Sequence, residues 1–173
     1  LVDKPLIAWS IEVGKESKYI DKLIISTDDK KIVDVAETYR CEAPFIRPEN
    51  LSSDEAATID VLIHALKYFI ENNEVYDYLI LLEPTSPLRD SNDIDAAMDM
   101  LDSNRERADS IVGVAKVEAT HPVFDVRIND GGLIEPYATE NFSTFRRQEI
   151  EDLYHFEGSL YISDTKVLFK EKT

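Results

Sequence analysis

The sequence predicts an α/β fold: a mixed, mostly parallel sheet with helices on both faces and a late β-hairpin. Three observations predict it. Short apolar runs alternate with stretches whose apolar residues recur at helical spacing. One run, Asp77-Tyr78-Leu79-Ile80-Leu81-Leu82, is apolar without alternation, the pattern of a strand buried on both faces, and this places it centrally in a parallel sheet. Further on, Val123–Ile128 and Leu133-Ile134 flank Asn129-Asp130-Gly131-Gly132, a hairpin signal that makes the sheet mixed.

The elements follow in order. Pro5 suits the first turn of a helix, where its missing N–H does no harm. Leu6, Ile7, Ser10, Ile11 and Gly14 then share one face of that helix. Lys22-Leu23-Ile24-Ile25-Ser26 reads as a buried strand. After it, Thr27, Asp28 or Asp29 can cap a helix whose apolar side is Ile32, Val33, Val35 and Ala36. Ala43-Pro44-Phe45-Ile46 reads as a second strand and Arg47-Pro48-Glu49-Asn50 as a loop. Ser52-Ser53-Asp54-Glu55 fits a capping box ahead of the stripe Ile59, Leu62, Ile63, Leu66, Phe69 and Ile70. The stretch Glu83–Arg89 is a loop, because prolines at 84 and 87 cannot continue a central strand. Ser91 is expected to cap a helix carrying Ile94, Ala97, Met98 and Leu101. Ser110–Ala115 and Ser159–Ile162 are the remaining strands, and Asn141–Glu151 is polar and irregular.

Composition bounds the function. A chain of 173 residues, 43% apolar, is expected to form one domain with a real core. Nineteen basic against 35 acidic residues give a net charge of −16, which argues against nucleic acid or an anionic membrane as partner. A nucleotide pocket, which needs only a few local cations, stays open. The single cysteine, Cys41, excludes an internal disulfide framework and a cysteine-based zinc site. The longest apolar run, Tyr78–Leu82, is too short to span a bilayer, no signal peptide is visible, and a cytoplasmic location is expected.

In open α/β sheets ligands bind past the carboxyl ends of the strands. Two loops of unusual chemistry fall there, Ser26-Thr27-Asp28-Asp29 and Glu83–Arg89. In the second, Pro84 and Pro87 give stiffness, Thr85 and Ser86 give hydroxyls, and Arg89 is a planar cation suited to a carboxylate or phosphate, or to a structural salt bridge. Arg47 fits either a nucleotide or an acidic neighbour. Arg146-Arg147 fits an anion clamp or a solvated loop. His64 lies among core positions of its helix, and His121-Pro122 reads as a turn. The five glycines never form a phosphate-binding loop.

Four stretches together carry a resemblance. They are Lys4-Pro5-Leu6-Ile7-Ala8-Trp9-Ser10-Ile11, Ile25-Ser26-Thr27-Asp28-Asp29, Arg47-Pro48-Glu49-Asn50-Leu51 and Leu81-Leu82-Glu83-Pro84-Thr85-Ser86-Pro87-Leu88-Arg89. In order and spacing the chain resembles the acylneuraminate cytidylyltransferases from Lys4 to about Asp164, and Arg147-Gln148 with Gly158-Ser159-Leu160-Tyr161-Ile162 fits the late part of that pattern.

The resemblance implies a Rossmann-like three-layer nucleotidyltransferase fold and a reaction. The anomeric hydroxyl of a nine-carbon 2-keto sugar acid attacks the α-phosphate of CTP, pyrophosphate leaves, and a CMP-sugar forms with Mg²⁺ neutralising the phosphates. By motif position, Arg47 and Thr58 face the cytidine part, Ser26, Thr27 and Asp28 sit under the nucleotide, and Glu83, Thr85, Ser86 and Arg89 line the sugar pocket. Arg147 reaches into the site as the catalytic cation. A homodimer is implied as well. The chain is expected to lack the N-terminal phosphate-loop segment and the C-terminal segment with the metal-binding aspartates, so no metal ligand is assigned within it. Glu83 stands where sialic acid enzymes usually carry Gln, and Glu157 where Asn is usual, which implies a legionaminic-type or related sugar. A 3-deoxy-manno-octulosonate cytidylyltransferase, another sugar nucleotidyltransferase, and a non-catalytic fragment are the alternative readings.

Overall fold

The chain runs α1 (Leu6–Glu16), α2 (Lys30–Thr38), α3 (Thr58–Glu71), β1 (Tyr78–Leu81), α4 (Ser91–Ser103), β2 (Ser110–Lys116), β3 (Val126–Ile128), β4 (Ile134–Pro136), β5 (Tyr154–Asp164) and α5 (Thr165–Glu171). The computed structural model describes residues 1–118, 121–138 and 146–172, apart from the Arg147 side chain. Residues 141–145 of the expected irregular stretch lie outside the described residues. Two compact units form, Leu1–Val112 with Gly158–Thr173, and Gly113–Glu157.

Caps explain where helices begin. Asp29 accepts from the Lys31 N–H at 2.7 Å and starts α2. Asp90, rather than Ser91, caps α4. Its carboxylate accepts from the Asn92 N–H, and Asp93 reaches back to the Asp90 N–H, a complete capping box. The box expected at Ser52–Glu55 does not form. The Ser52 hydroxyl is spent on the carbonyl of Pro48 in the preceding turn, and α3 starts later, at Thr58.

A three-stranded sheet has the order β1-β5-β2. β1 and β5 are antiparallel, with Ile80 opposite Ile162. Tyr78, Ile80 and Leu82 pack on the cluster of Ile94, Met98, Leu101, Leu160 and Ile162, while Leu79 packs on Ile63, Leu66 and Leu168. Alternate residues of a strand face opposite ways, so β1 has core on both faces, with α4 on one side and α3 and α5 on the other. That is the α/β layering the sequence predicts. Among the described pairings β1 stands at one end of the strand order, so its burial on both faces is shown and its expected central place is not.

The mostly parallel sheet is not what the described pairings show, since β1–β5 and β3–β4 are both antiparallel. The strands expected at Lys22–Ser26 and Ala43–Ile46 reduce to one parallel bridge between Ile24 and Glu42, with the Ile25 N–H donating to the Glu42 carbonyl at 2.8 Å. The next donor on that edge belongs to residue 44, a proline without an N–H, and there the ladder stops.

In the Gly113–Glu157 unit, β3 and β4 form the expected hairpin. Asn129 Oδ1 accepts from the N–H groups of Gly131 and Leu133, and Gly132 supplies the positive φ of +77° that closes the turn.

Candidate active site

The ends of four segments meet around one cavity of about 1190 Å³ in the larger unit. Ser26 and Thr27 follow the bridged stretch, Arg47 follows its partner, Thr58 opens α3, and Glu83 and Thr85 follow β1. All six line the cavity. Its deeper wall is apolar and includes Ile24, Ile25 and Leu79–Leu82.

The cation is held in a fixed direction. Arg47 Nε donates to Ser26 Oγ at 3.2 Å, and Nη2 donates to the Ser26 carbonyl. The main chain adds a bond from the Arg47 N–H to the Thr27 carbonyl at 2.9 Å. Two of the expected nucleotide-side pieces, Ser26-Thr27 and Arg47, are thus one structural unit. Thr27 is buried, and its Oγ1 accepts from the Asp29 N–H at 3.2 Å.

On the opposite side, Pro84 and Thr85 form the corner of a turn closed by the Ser86 N–H on the Glu83 carbonyl at 3.3 Å. Arg89, expected as a sugar contact, turns inward. It is 8% exposed, Nη2 donates to the Glu83 carbonyl at 2.9 Å, Nη1 donates to Ser10 Oγ at 3.2 Å, and Nε donates to the Ser159 carbonyl. A guanidinium bound to main-chain carbonyls inside the protein stiffens the loop from behind. Asp28 and Ser86 do not line the cavity, and Asp28 is exposed. Arg147 lies in a short 3₁₀ turn of the other unit, and its side chain is outside what the structure describes.

Two residues of the site were missed in the sequence. Ser10 had been read only as a position on the α1 face, yet it is buried beside Glu83 and Arg89. Gly158 had been read only as part of a motif, yet it has φ +75°, and a Cβ there would stand 3.2 Å from Glu83 Oε2. A lone glycine opening a strand was the available signal.

Tyr76, also at the cavity, donates to Glu74 at 2.6 Å, and that hydrogen bond pushes its hydroxyl up to about 12. It stays a neutral donor at physiological pH. Among the described residues no three of His, Cys, Asp and Glu stand together as a metal would require.

An α/β sheet layered by helices thus brings Arg47 and the proline-stiffened loop that starts at Glu83 to one cavity. Residues 1–169 match the cytidylyltransferase family, and the chain belongs to that family. It is similar to a pseudaminic acid cytidylyltransferase of Campylobacter jejuni, 29% identical over 97% of this chain and 71% of the relative. It is 28% identical to a CMP-N,N'-diacetyllegionaminic acid synthase of Legionella pneumophila, over all of this chain and 72% of that protein. An N-acylneuraminate cytidylyltransferase of Escherichia coli is 30% identical over 95% of this chain and 37% of the longer relative. Among solved structures, a CMP:2-keto-3-deoxy-manno-octonic acid synthetase complexed with CTP superposes with a TM-score of 0.68 at 16% identity, covering 99% of this chain and 68% of that one. At that identity the likeness speaks for the fold, which is that of the Rossmann-like nucleotidyltransferases.

Proposed function

We propose that the chain transfers a cytidylyl group from CTP to a nine-carbon 2-keto sugar acid of the sialic, legionaminic or pseudaminic kind. The sugar's anomeric oxygen bonds to the α-phosphorus, the bond to the bridging oxygen of pyrophosphate breaks, and the hydroxyl proton leaves to solvent. The observation that carries the reading is the meeting of Ser26, Thr27, Arg47, Thr58, Glu83 and Thr85 at one cavity in a member of the cytidylyltransferase family. The names of the relatives support the sugar class.

The residues divide the work. Arg47, aimed by Ser26, stabilises the anionic or carbonyl edge of CTP, and Thr58 borders the same side. Glu83 is an acceptor and takes an N–H or O–H of the sugar acid, with Thr85 beside it. The apolar wall keeps water from weakening these bonds. Asp28 and Ser86 support the loops around this site, and Arg147 is retained as a cation for the reacting phosphate. Mg²⁺ is the counter-ion expected of the triphosphate. No three of His, Cys, Asp and Glu gather for it among the described residues, and no step here runs through it.

The reading includes a larger parallel part of the sheet, supported by the parallel Ile24–Glu42 bridge. It includes a cytoplasmic location; no helix among the described residues is long and apolar enough to cross a membrane. It also includes a homodimer, supported by the exposed apolar face of the hairpin. The test is pyrophosphate release from CTP, UTP and ATP with a panel of nine-carbon and eight-carbon keto sugar acids and Mg²⁺. Release with CTP and a nine-carbon acid, well above the other nucleotides, is expected. Equal use of all nucleotides overturns the cytidylyl reading.

A further inference from the structure

The loop that carries Glu83 is held from beneath by Ser10, which lines the cavity, and by Arg89 and the Ser86 N–H, which do not. The Glu83 carbonyl accepts from the Ser86 N–H at 3.3 Å, from Arg89 Nη2 at 2.9 Å and, at a long 3.5 Å, from the Ser10 hydroxyl. The same hydroxyl accepts from Arg89 Nη1, while Arg89 Nε reaches the Ser159 carbonyl on β5. Arg89 therefore joins α1, the turn after β1, and β5. The residue before Ser159 is Gly158. Its missing side chain leaves the space occupied by the Glu83 carboxylate, since a Cβ there would lie 3.2 Å from Oε2 and 4.0 Å from Ser86 Oγ.

These contacts fix both parts of Glu83. Its main chain is pinned by Arg89 and Ser10, and its carboxylate lies on bare backbone at Gly158. Direction matters here, because a carboxylate accepts hydrogen bonds and repels a second carboxylate. A substrate with a carboxyl group has to turn that group away and offer a donor. We propose that Arg89, Ser10 and Gly158 are positioning residues that set sugar choice by aiming the Glu83 carboxylate at an N–H or O–H of the sugar acid. This rests on the cytidylyl-transfer reading above. Arg89 is matched to the task because a planar fork serves three oxygens at once, which a lysine ammonium on a flexible stem does not reproduce.

The test takes Gly158→Ala, Arg89→Lys and Ser10→Ala in the whole protein, with Gly158→Ala also made on a Glu83→Ala background. The first readout needs no turnover. In crystal structures, Gly158→Ala is expected to move the Glu83 carboxylate by a few tenths of an ångström, to relieve the 3.2 Å contact. An unmoved carboxylate overturns the proposal. The second readout is kinetic. Gly158→Ala and Arg89→Lys are expected to raise KM for the sugar acid while KM for CTP stays within about twofold, and adding Gly158→Ala to Glu83→Ala is expected to change nothing further, the coupling expected of two residues acting through one contact. The same loss on both backgrounds shows backbone strain at Gly158 instead and overturns the proposal. Arg89→Lys and its crystal structure decide the question if Gly158→Ala does not fold. A wild-type protein that releases no pyrophosphate from CTP with any sugar acid overturns the function, and the crystallographic comparison still decides the positioning.

Discussion

Arg47 shows how much a single residue discloses before a structure exists. Its place in a polar loop after an apolar run marked it as an anion contact or a structural pair, and the structure shows its bonds to Ser26 and its place on the cavity wall. Two nitrogens hold Ser26 and leave the side chain on the cavity wall. Charge-assisted hydrogen bonds contribute roughly 1.5–3 kcal/mol each. Arg47→Ala is therefore expected to weaken CTP binding by about 10–150-fold, read by calorimetry, with a smaller loss of melting temperature because little apolar area goes with it. Unchanged affinity with a large fall in melting temperature would assign Arg47 to the scaffold alone. Arg89 was the harder case. Its sequence neighbours, two prolines and two hydroxyl residues, look like a binding loop, and nothing local reveals that the guanidinium turns inward. Its carbonyl partner on β5 is 70 residues away, and only tertiary structure brings it there.

At the level of elements, helices were legible because their periodicity and caps are local. The stripe of α3 and the buried face of α4 at Ile94, Met98 and Leu101 were read directly. Strand neighbours were not legible, because pairing depends on which distant segment arrives alongside. The Pro44 gap in the parallel ladder was the one local clue. A seam of polar groups joins the segment after α1 to α4, from the buried Ser17 and half-buried Asp95 out to the exposed Lys18 and Asp99. Asp95 accepts from the Ser17 hydroxyl at 2.6 Å and the Lys18 N–H at 3.2 Å, and Asp99 accepts from the Tyr19 hydroxyl and from Lys18 Nζ at 3.3 Å. The Tyr19 hydroxyl is the main cause, ahead of Lys18, that holds the Asp99 carboxyl below its ordinary value. A carboxyl depressed in the fold adds stability above its unfolded pKa and loses it as pH falls through the folded one. Asp99→Asn is thus expected to lower the melting temperature at pH 7, with the difference from wild type shrinking as pH falls below about 4. A difference that does not shrink at all as pH falls below about 4 would mean that geometry, not charge, holds the seam.

For the whole molecule, the net charge of −16 argues against nucleic acid and leaves a small-molecule pocket open, and the larger unit carries such a cavity. The layering was legible too. The hairpin was foreseen as an element, but its consequence was not. The register pairs Val126 with Pro136 and Ile128 with Ile134, so these four share one face, while Arg127 and Glu135 share the other. The apolar face is open: Ile128 is 74% exposed and Ile134 58%. A two-stranded hairpin is marginal in water without something packed on its apolar side. A second copy of the chain offers a matching face, since a two-fold interface uses the same patch from both partners. Sedimentation equilibrium is expected to give about twice the 19.8 kDa chain mass for the wild-type 173-residue chain. Ile128→Glu combined with Ile134→Glu is expected to return the single-chain mass, because two carboxylates on each partner would face their counterparts across the dyad and would lose water on burial. Both substitutions lie on an exposed surface, so the folded monomer is expected to keep its far-UV circular dichroism. A wild-type chain that stays monomeric at every concentration tested, or a double variant that remains dimeric, would show that the hairpin face is not the interface.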